Sequence, residues 1–170
     1  LARATLNTDT LLNLCYDGSD TERVIWVDPG ESTGWALWGA DGSFASGQDE
    51  AYVVENGIYA ALMGSAWRYQ VGWEQYLITG SRVRHDGSAL RVIGFLEWVT
   101  RYTETRRLKP MPSSARNLGQ DGDKLRVLGW HAPGRRDANA AAAHLLAHLL
   151  RDNLLPRPLL RKLADWGLSG

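Results

Sequence analysis

The chain has 170 residues, with nineteen basic and nineteen acidic side chains and hence no net charge at neutral pH. That length and an ordinary globular composition exclude a disordered or low-complexity chain and give one domain around one core. No apolar run reaches the roughly 18 residues of a membrane span, so the chain reads as a soluble cytoplasmic protein, and the lone Cys15 excludes an internal disulfide.

Residues 1–22 end in the turn-forming cluster DGSD and read as an N-terminal extension. The apolar, β-branched run closing on Asp28 predicts a strand over 23–28 that is covered on both faces. A second strand over 33–39 and a third over 43–47 follow, joined by the Ala-Asp-Gly turn at 40–42 into an antiparallel meander. Ile58, Ala61, Leu62, Ser65 and Ala66 predict a helix over 54–69, and QVGWEQYLI a buried strand over 70–78. A polar, basic loop then leads to Ser88, the predicted N-cap of a helix over 89–101 with Leu90, Ile93, Gly94, Leu96 and Glu97 on its stripe. LKPMPSS at 108–114 reads as an edge strand, because two prolines exclude a central one. A basic linker carries a short helix over 123–128, and the strong helix formers from Asp137 to Arg151 give the last helix, which stops before Pro156. The order implies a mixed α/β, three-layer domain over 23–152, followed by a tail over 153–170.

Three acids stand where burial makes them costly without a partner: Asp28 at a strand end, Glu74 inside an apolar strand, and Asp137 at a helix start. Hard divalent cations take carboxylate oxygens, and two such ions between carboxylates suit phosphodiester cleavage. Each acid also has a plain reading. Asp28 with Pro29 and Gly30 suits a tight turn, Glu74 an ion pair with an arginine or a solvent-facing place on a half-exposed strand, and Asp137 a helix start favoured by the dipole.

The stretch VIWVDPGESTGW resembles the opening strand and turn of the RuvC-type Holliday junction resolvases, in the shorter versions that bacteriophages encode. Glu74 in VGWEQYL is similar to that family's second acidic position. The segment Asp123–Val127 resembles its basic segment, and RRDANAAAAHLL its terminal acidic helix. The resemblance implies a ribonuclease H-like fold with a five-stranded mixed sheet and helices on both faces. It also implies a homodimer that cleaves branched DNA, meaning four-way junctions and also flaps and forks, in the host cytoplasm, with two Mg²⁺ or Mn²⁺ ions held by Asp28, Glu74 and Asp137. One position departs from the family. Its last helix carries a second acid three residues on, and here Ala140 occupies that place, as an engineered or a divergent replacement of Asp. Asn139 points about 160° away from Asp137 around the helix. His144 returns to the face of Asp137, within reach of a metal or scissile phosphate, although the same pattern suits an interior histidine. The His144/His148 pair lacks the glutamate of a zinc hydrolase.

Charge is unevenly spread: residues 1–80 hold 3 basic and 11 acidic side chains, and residues 81–170 hold 16 and 8. Arg82, Arg84, Arg116, Lys124, Arg135 and Arg136, near the acidic segments in sequence, are the expected phosphate contacts, giving steeply salt-dependent DNA binding. Trp67, Trp73 and Trp98 are expected in the core. Two rival functions remain. One is a branched-DNA-binding protein that has lost catalysis. The other is a fragment of an actin-like ATPase or sugar kinase, whose first phosphate loop the Asp-Pro-Gly turn also resembles, although the chain is too short for two such domains.

Overall fold

A computed structural model describes residues 21–65, 68–75, 87–112 and 122–167. β1 (Arg23–Asp28), β2 (Ser32–Gly39) and β3 (Phe44–Glu50) form the antiparallel meander, and β4 (Tyr69–Gln75) lies parallel to β1 on its other side. Beyond β4 come two fragments, β5 (Arg106–Arg107) and β6 (Met111–Pro112), both parallel to it. The five-stranded expectation therefore holds for positions across the sheet, but among the described residues six segments fill them. The fifth place, expected as one edge strand over 108–114, is interrupted because Pro110 has no N–H to offer. Leu108 still donates to the Val71 carbonyl at 2.8 Å. Beyond the break the pairing resumes one residue out of step, Val71 facing Arg107 but Glu74 facing Met111.

Both faces of β1 are covered, which is why its apolar run is unbroken. Ile25, Val27, Trp35, Leu37, Val71 and Trp73 pack under α1 (Ala51–Ser65) and α2 (Gly87–Tyr102). Val24, Trp26, Ala36 and Trp38 pack under α4 (Arg136–Arg151), with α3 (Gly122–Leu128) and α5 (Arg157–Gly167) on that side. Every residue of α4 from Ala140 to Leu149 is buried, and its alanines let the helix backbone lie close to the sheet.

Several boundaries differ from expectation. α1 begins at Ala51 rather than 54, since the chain turns straight out of β3 with the Ala51 N–H donating to the Glu31 carbonyl at 3.3 Å. Tyr69, predicted as helix, opens β4 in register with Arg23. α2 starts at Gly87, so Ser88 lies within its first turn and is not the N-cap. The buried stripe of α2 is Ala89, Val92, Leu96, Val99 and Thr100, and of the predicted stripe only Leu96 is fully buried. Trp98 is accordingly 51% exposed rather than in the core, whereas Trp73 is buried; Trp67 lies outside the described residues. The tail contains α5, whose Leu159 and Leu163 pack against the core on the α4 side.

Candidate active site

The site grows from one row of residues across the sheet. Gln48 on β3 pairs with Gly34 on β2, Gly34 with Asp28 on β1, and Glu74 on β4 with Met111 on β6. The register of β1 with β4 ends at Val27 and Trp73, so Asp28 and Glu74 follow side by side, about 5 Å apart at the usual strand spacing. Alternation puts Asp28 on the face of Val24 and Trp26, and Glu74 on the face of Gly72; both belong to the α4 side.

α4 approaches this row through two features with no local signal. Gly34 is the first: a Cβ there would lie 2.0 Å from the Asp137 carbonyl oxygen and 2.8 Å from the Ala138 nitrogen, so only glycine lets the helix start lie on β2. The second is the helix cap. Arg135, which precedes the helix, makes no side-chain cap bond. Instead the Gln48 Oε1 accepts from the Asp137 N–H at 3.1 Å and the Ala138 N–H at 3.5 Å. A cap of this kind is worth about 1 kcal/mol and fixes the start of α4 over the row. The third acid, Asp137, thereby stands beside Gly34, the cross-strand partner of Asp28.

Asn139 secures the approach to the helix. Its side-chain amide donates to the Ala132 carbonyl and its Oδ1 accepts from the Ala132 N–H, both at 2.8 Å. Its role is to clamp the incoming loop.

His144 is an interior residue that borders Glu74. It is fully buried and stacks on Trp26, with centroids 5.9 Å apart and planes at 12°. The Trp26 ring in turn lies over Gly72, whose missing side chain makes the space. The His144 Nδ1 is 3.1 Å from the Ala140 carbonyl, while Nε2 is 3.4 Å from the Pro112 carbonyl and 4.0 Å from a Glu74 carboxylate oxygen. Both ring nitrogens face oxygen acceptors, and a neutral imidazole donates to only one of them. Glu74, with its side chain 17% exposed, thus has a buried histidine near it. His148 also sits over Trp26 at 5.9 Å, with Nδ1 3.3 Å from Asp152 and 3.1 Å from the Arg151 Nη2. Burial holds its pKa below the usual histidine value against the opposing pull of Asp152.

The structure brings Asp28, Glu74, Asp137 and His144 to one end of the sheet, with Ala140 9% exposed one turn along from Asp137. Arg135, half-buried, and Arg136, exposed, flank Asp137. Lys124 lies on α3. The neighbouring Leu125 carbonyl accepts from the Trp130 N–H at 2.7 Å, and Trp130 stacks on Phe44 at 4.2 Å. Phe44 belongs to the row of Trp38 and Val24, four residues along the strands from the row of Asp28, or about 13 Å. The predicted contacts Arg82, Arg84 and Arg116 lie outside the described residues. Gln48, Gly34 and Trp26 are the site's unanticipated members.

The donor set fits a hard divalent cation in kind, since adjacent carboxylates face a helix start bearing a third. Among the described residues, however, no three His, Cys, Asp or Glu side chains already converge around one point as a metal cage. Mg²⁺ commonly uses one or two carboxylates and completes its shell with water and phosphate.

No protein-family model and no curated protein sequence matches the chain. Among solved structures it is similar to Thermus thermophilus RuvC in complex with Holliday junction substrate, at 14% identity and a TM-score of 0.51, covering 78% of this chain and 96% of that one. A second Thermus thermophilus RuvC structure aligns at 15% identity and a TM-score of 0.48, over 78% and 97%. Likeness at this identity is likeness of fold, and the ribonuclease H-like arrangement expected from the sequence is the fold of the chain.

Proposed function

We propose that the chain is a metal-dependent endonuclease that cleaves branched DNA of the Holliday-junction kind and works as a homodimer. The observation that carries this reading is the placement of Asp28 and Glu74 on adjacent parallel strands, facing a helix whose first turn supplies Asp137. The fold shared with a RuvC solved on a Holliday junction substrate supports it.

Asp28, Glu74 and Asp137 are the residues to hold Mg²⁺ or Mn²⁺, which when bound would stabilise the charge that builds on a scissile phosphate. His144 Nε2 lies 4.0 Å from a Glu74 carboxylate oxygen on the buried side. Gln48 and Gly34 set the height of Asp137 over the row. Arg135 and Arg136 supply positive charge at the mouth, where backbone phosphates set affinity without reading sequence. Among the described residues no helix is long and apolar enough to cross a membrane.

A second reading draws on Ala140 and the absence of a closed metal cage among the described residues: the chain binds branched DNA without cutting it. One experiment separates the two. Four-way, flap and linear DNA are incubated with Mg²⁺ or Mn²⁺ and the parent chain, its Ala140→Asp variant, and a Glu74→Gln control. Metal-dependent nicking of branched substrates that Glu74→Gln abolishes supports the nuclease. Tight binding with no cleavage by either the parent or Ala140→Asp overturns it.

A further inference from the structure

We infer that the open edge of β3 takes up a basic, extended segment of a protein partner as one more strand, with a lysine or arginine of that segment anchored in a cleft at Glu31 and Glu50. None of Asp28, Glu74 and Asp137 lies on this edge, and its use needs no cleavage of DNA.

β3 is the last strand on its side of the sheet and pairs only with β2 among the described residues. Its two ends fix which backbone groups point outward. The Ser43 carbonyl accepts from the Gly39 N–H at 3.0 Å, and the Ala51 N–H donates to the Glu31 carbonyl at 3.3 Å, so the odd-numbered residues from 43 to 51 bond to β2. The N–H and C=O groups of Phe44, Ser46 and Gln48 therefore face away from the sheet, and they meet no main-chain partner among the described residues. The Glu50 N–H, next in this row, is taken by the Asp49 side chain at 3.0 Å. The strand runs seven residues without a proline, unlike the margin at β5 and β6. Such a row is a template for another extended chain.

Charge decides which chain fits. Between residues 24 and 67 there are six acids and no Lys or Arg, and Asp49 and Glu50 close the edge itself. A second copy would bring the same acids and no base to the pairing, and charged side chains on an edge are a device against self-association. Phosphate is repelled in the same way. A strand that carries lysine or arginine is attracted.

At the Glu50 end of the edge, a cleft of about 540 Å³ supplies the anchor point. Glu31, Glu50 and Tyr52 line it together with the first turn of α2. Both glutamates are exposed, and neither is in an ion pair among the described residues. Arg91, which also lines the cleft, is 3.4 Å from Glu55 and so leaves them their charge. Tyr52 is 54% exposed and offers its ring to a cation. A side chain with a long apolar stem and a charged head suits this combination, the ring taking the stem and the carboxylates the head.

The test is fluorescence anisotropy with a labelled peptide as long as β3 that alternates lysine with valine, joined to amide exchange on the full chain. Saturable binding is expected at low salt, with slowed exchange of the Ser46 and Gln48 amides. Methylating the peptide's amide nitrogens on one alternate set of residues is expected to weaken binding at least about tenfold, and on the other set to leave it unchanged, because only every second residue of an added strand faces β3. In the protein, Ser46→Pro removes one outward N–H at a place where an edge strand tolerates proline, and Glu50→Lys reverses the charge of the anchor. Each is expected to weaken binding about tenfold with an unchanged circular dichroism spectrum. Should Ser46→Pro fail to fold, the methylated peptides and Glu50→Lys decide alone. A peptide that does not bind overturns the proposal, and so does one weakened equally by both methylation patterns, whose attraction is then charge alone. Binding undiminished in Glu50→Lys or in a folded Ser46→Pro overturns it too. Without peptide, protection of Ser46 and Gln48 that grows with chain concentration would assign the edge to a second copy, and protection by duplex DNA would assign it to nucleic acid; either result overturns it.

Discussion

Replacing Gly34 by alanine tests the central packing argument with a single methyl group. The new Cβ would stand 2.0 Å from the Asp137 carbonyl oxygen, 2.2 Å from its carbon and 2.8 Å from the Ala138 nitrogen. Ordinary non-bonded contact begins near about 3.5 Å, so α4 must rise by about 1.5 Å at its first turn. Overpacking of this kind costs about 1–3 kcal/mol, and the upper end applies because both sides of the clash are backbone that no rotamer can relieve. For a chain of this size 3 kcal/mol corresponds to a fall of about 6–12 °C in the thermal midpoint. The measurement is thermal and urea unfolding followed by circular dichroism. A loss below about 1 kcal/mol would mean that α4 does not rest on β2 as described, and with it would go the placement of Asp137 beside Asp28.

Gln48→Leu removes the acceptor at the start of α4 and is expected to lower stability by about 1 kcal/mol in urea unfolding, with Gln48→Glu, which keeps an acceptor, close to the parent. Equal losses in the two would refute the cap. His148 gives a pH signature. Burial depresses its pKa, so the unfolded chain takes up the proton more readily, and stability is unaffected by His148 above about pH 6.5 but falls progressively below it, down through the lower folded-state pKa. Urea midpoints measured from pH 8 downward are therefore expected to fall more steeply in the parent than in His148→Leu; parallel slopes would refute it.

Much of the fold was legible because its central strands obey local rules. The unbroken apolar run of 24–27 announced a strand covered twice, and the acids at Asp28 and Glu74 stood out against apolar neighbours. Their shared face follows from alternation along two adjacent strands. Gln48 was invisible because its contact with Asp137 spans 89 positions, and nothing near Gln48 in sequence marks it as a cap. Gly34 and Gly72 read as ordinary strand glycines until the bodies above them, a helix start and the Trp26 ring, are in place. In α2 the expected stripe through Leu90 and Ile93 is not the inward one, because the sheet decides which side packs: smaller Ala89, Val92 and Val99 fit beneath, leaving Trp98 outside. α5 was missed for a simpler reason. Its Leu159 and Leu163 have helical spacing, but the residues after the helix that stops before Pro156 read as a tail.

The broken fifth strand bears on how copies of this chain can meet. A long, regular outer strand would offer a row of unsatisfied amide groups to any passing extended segment, and such rows recruit without limit. Here that margin is two short pieces out of step with each other, and two of its positions are prolines with no hydrogen to donate. Along the described residues this margin is a poor template for strand addition.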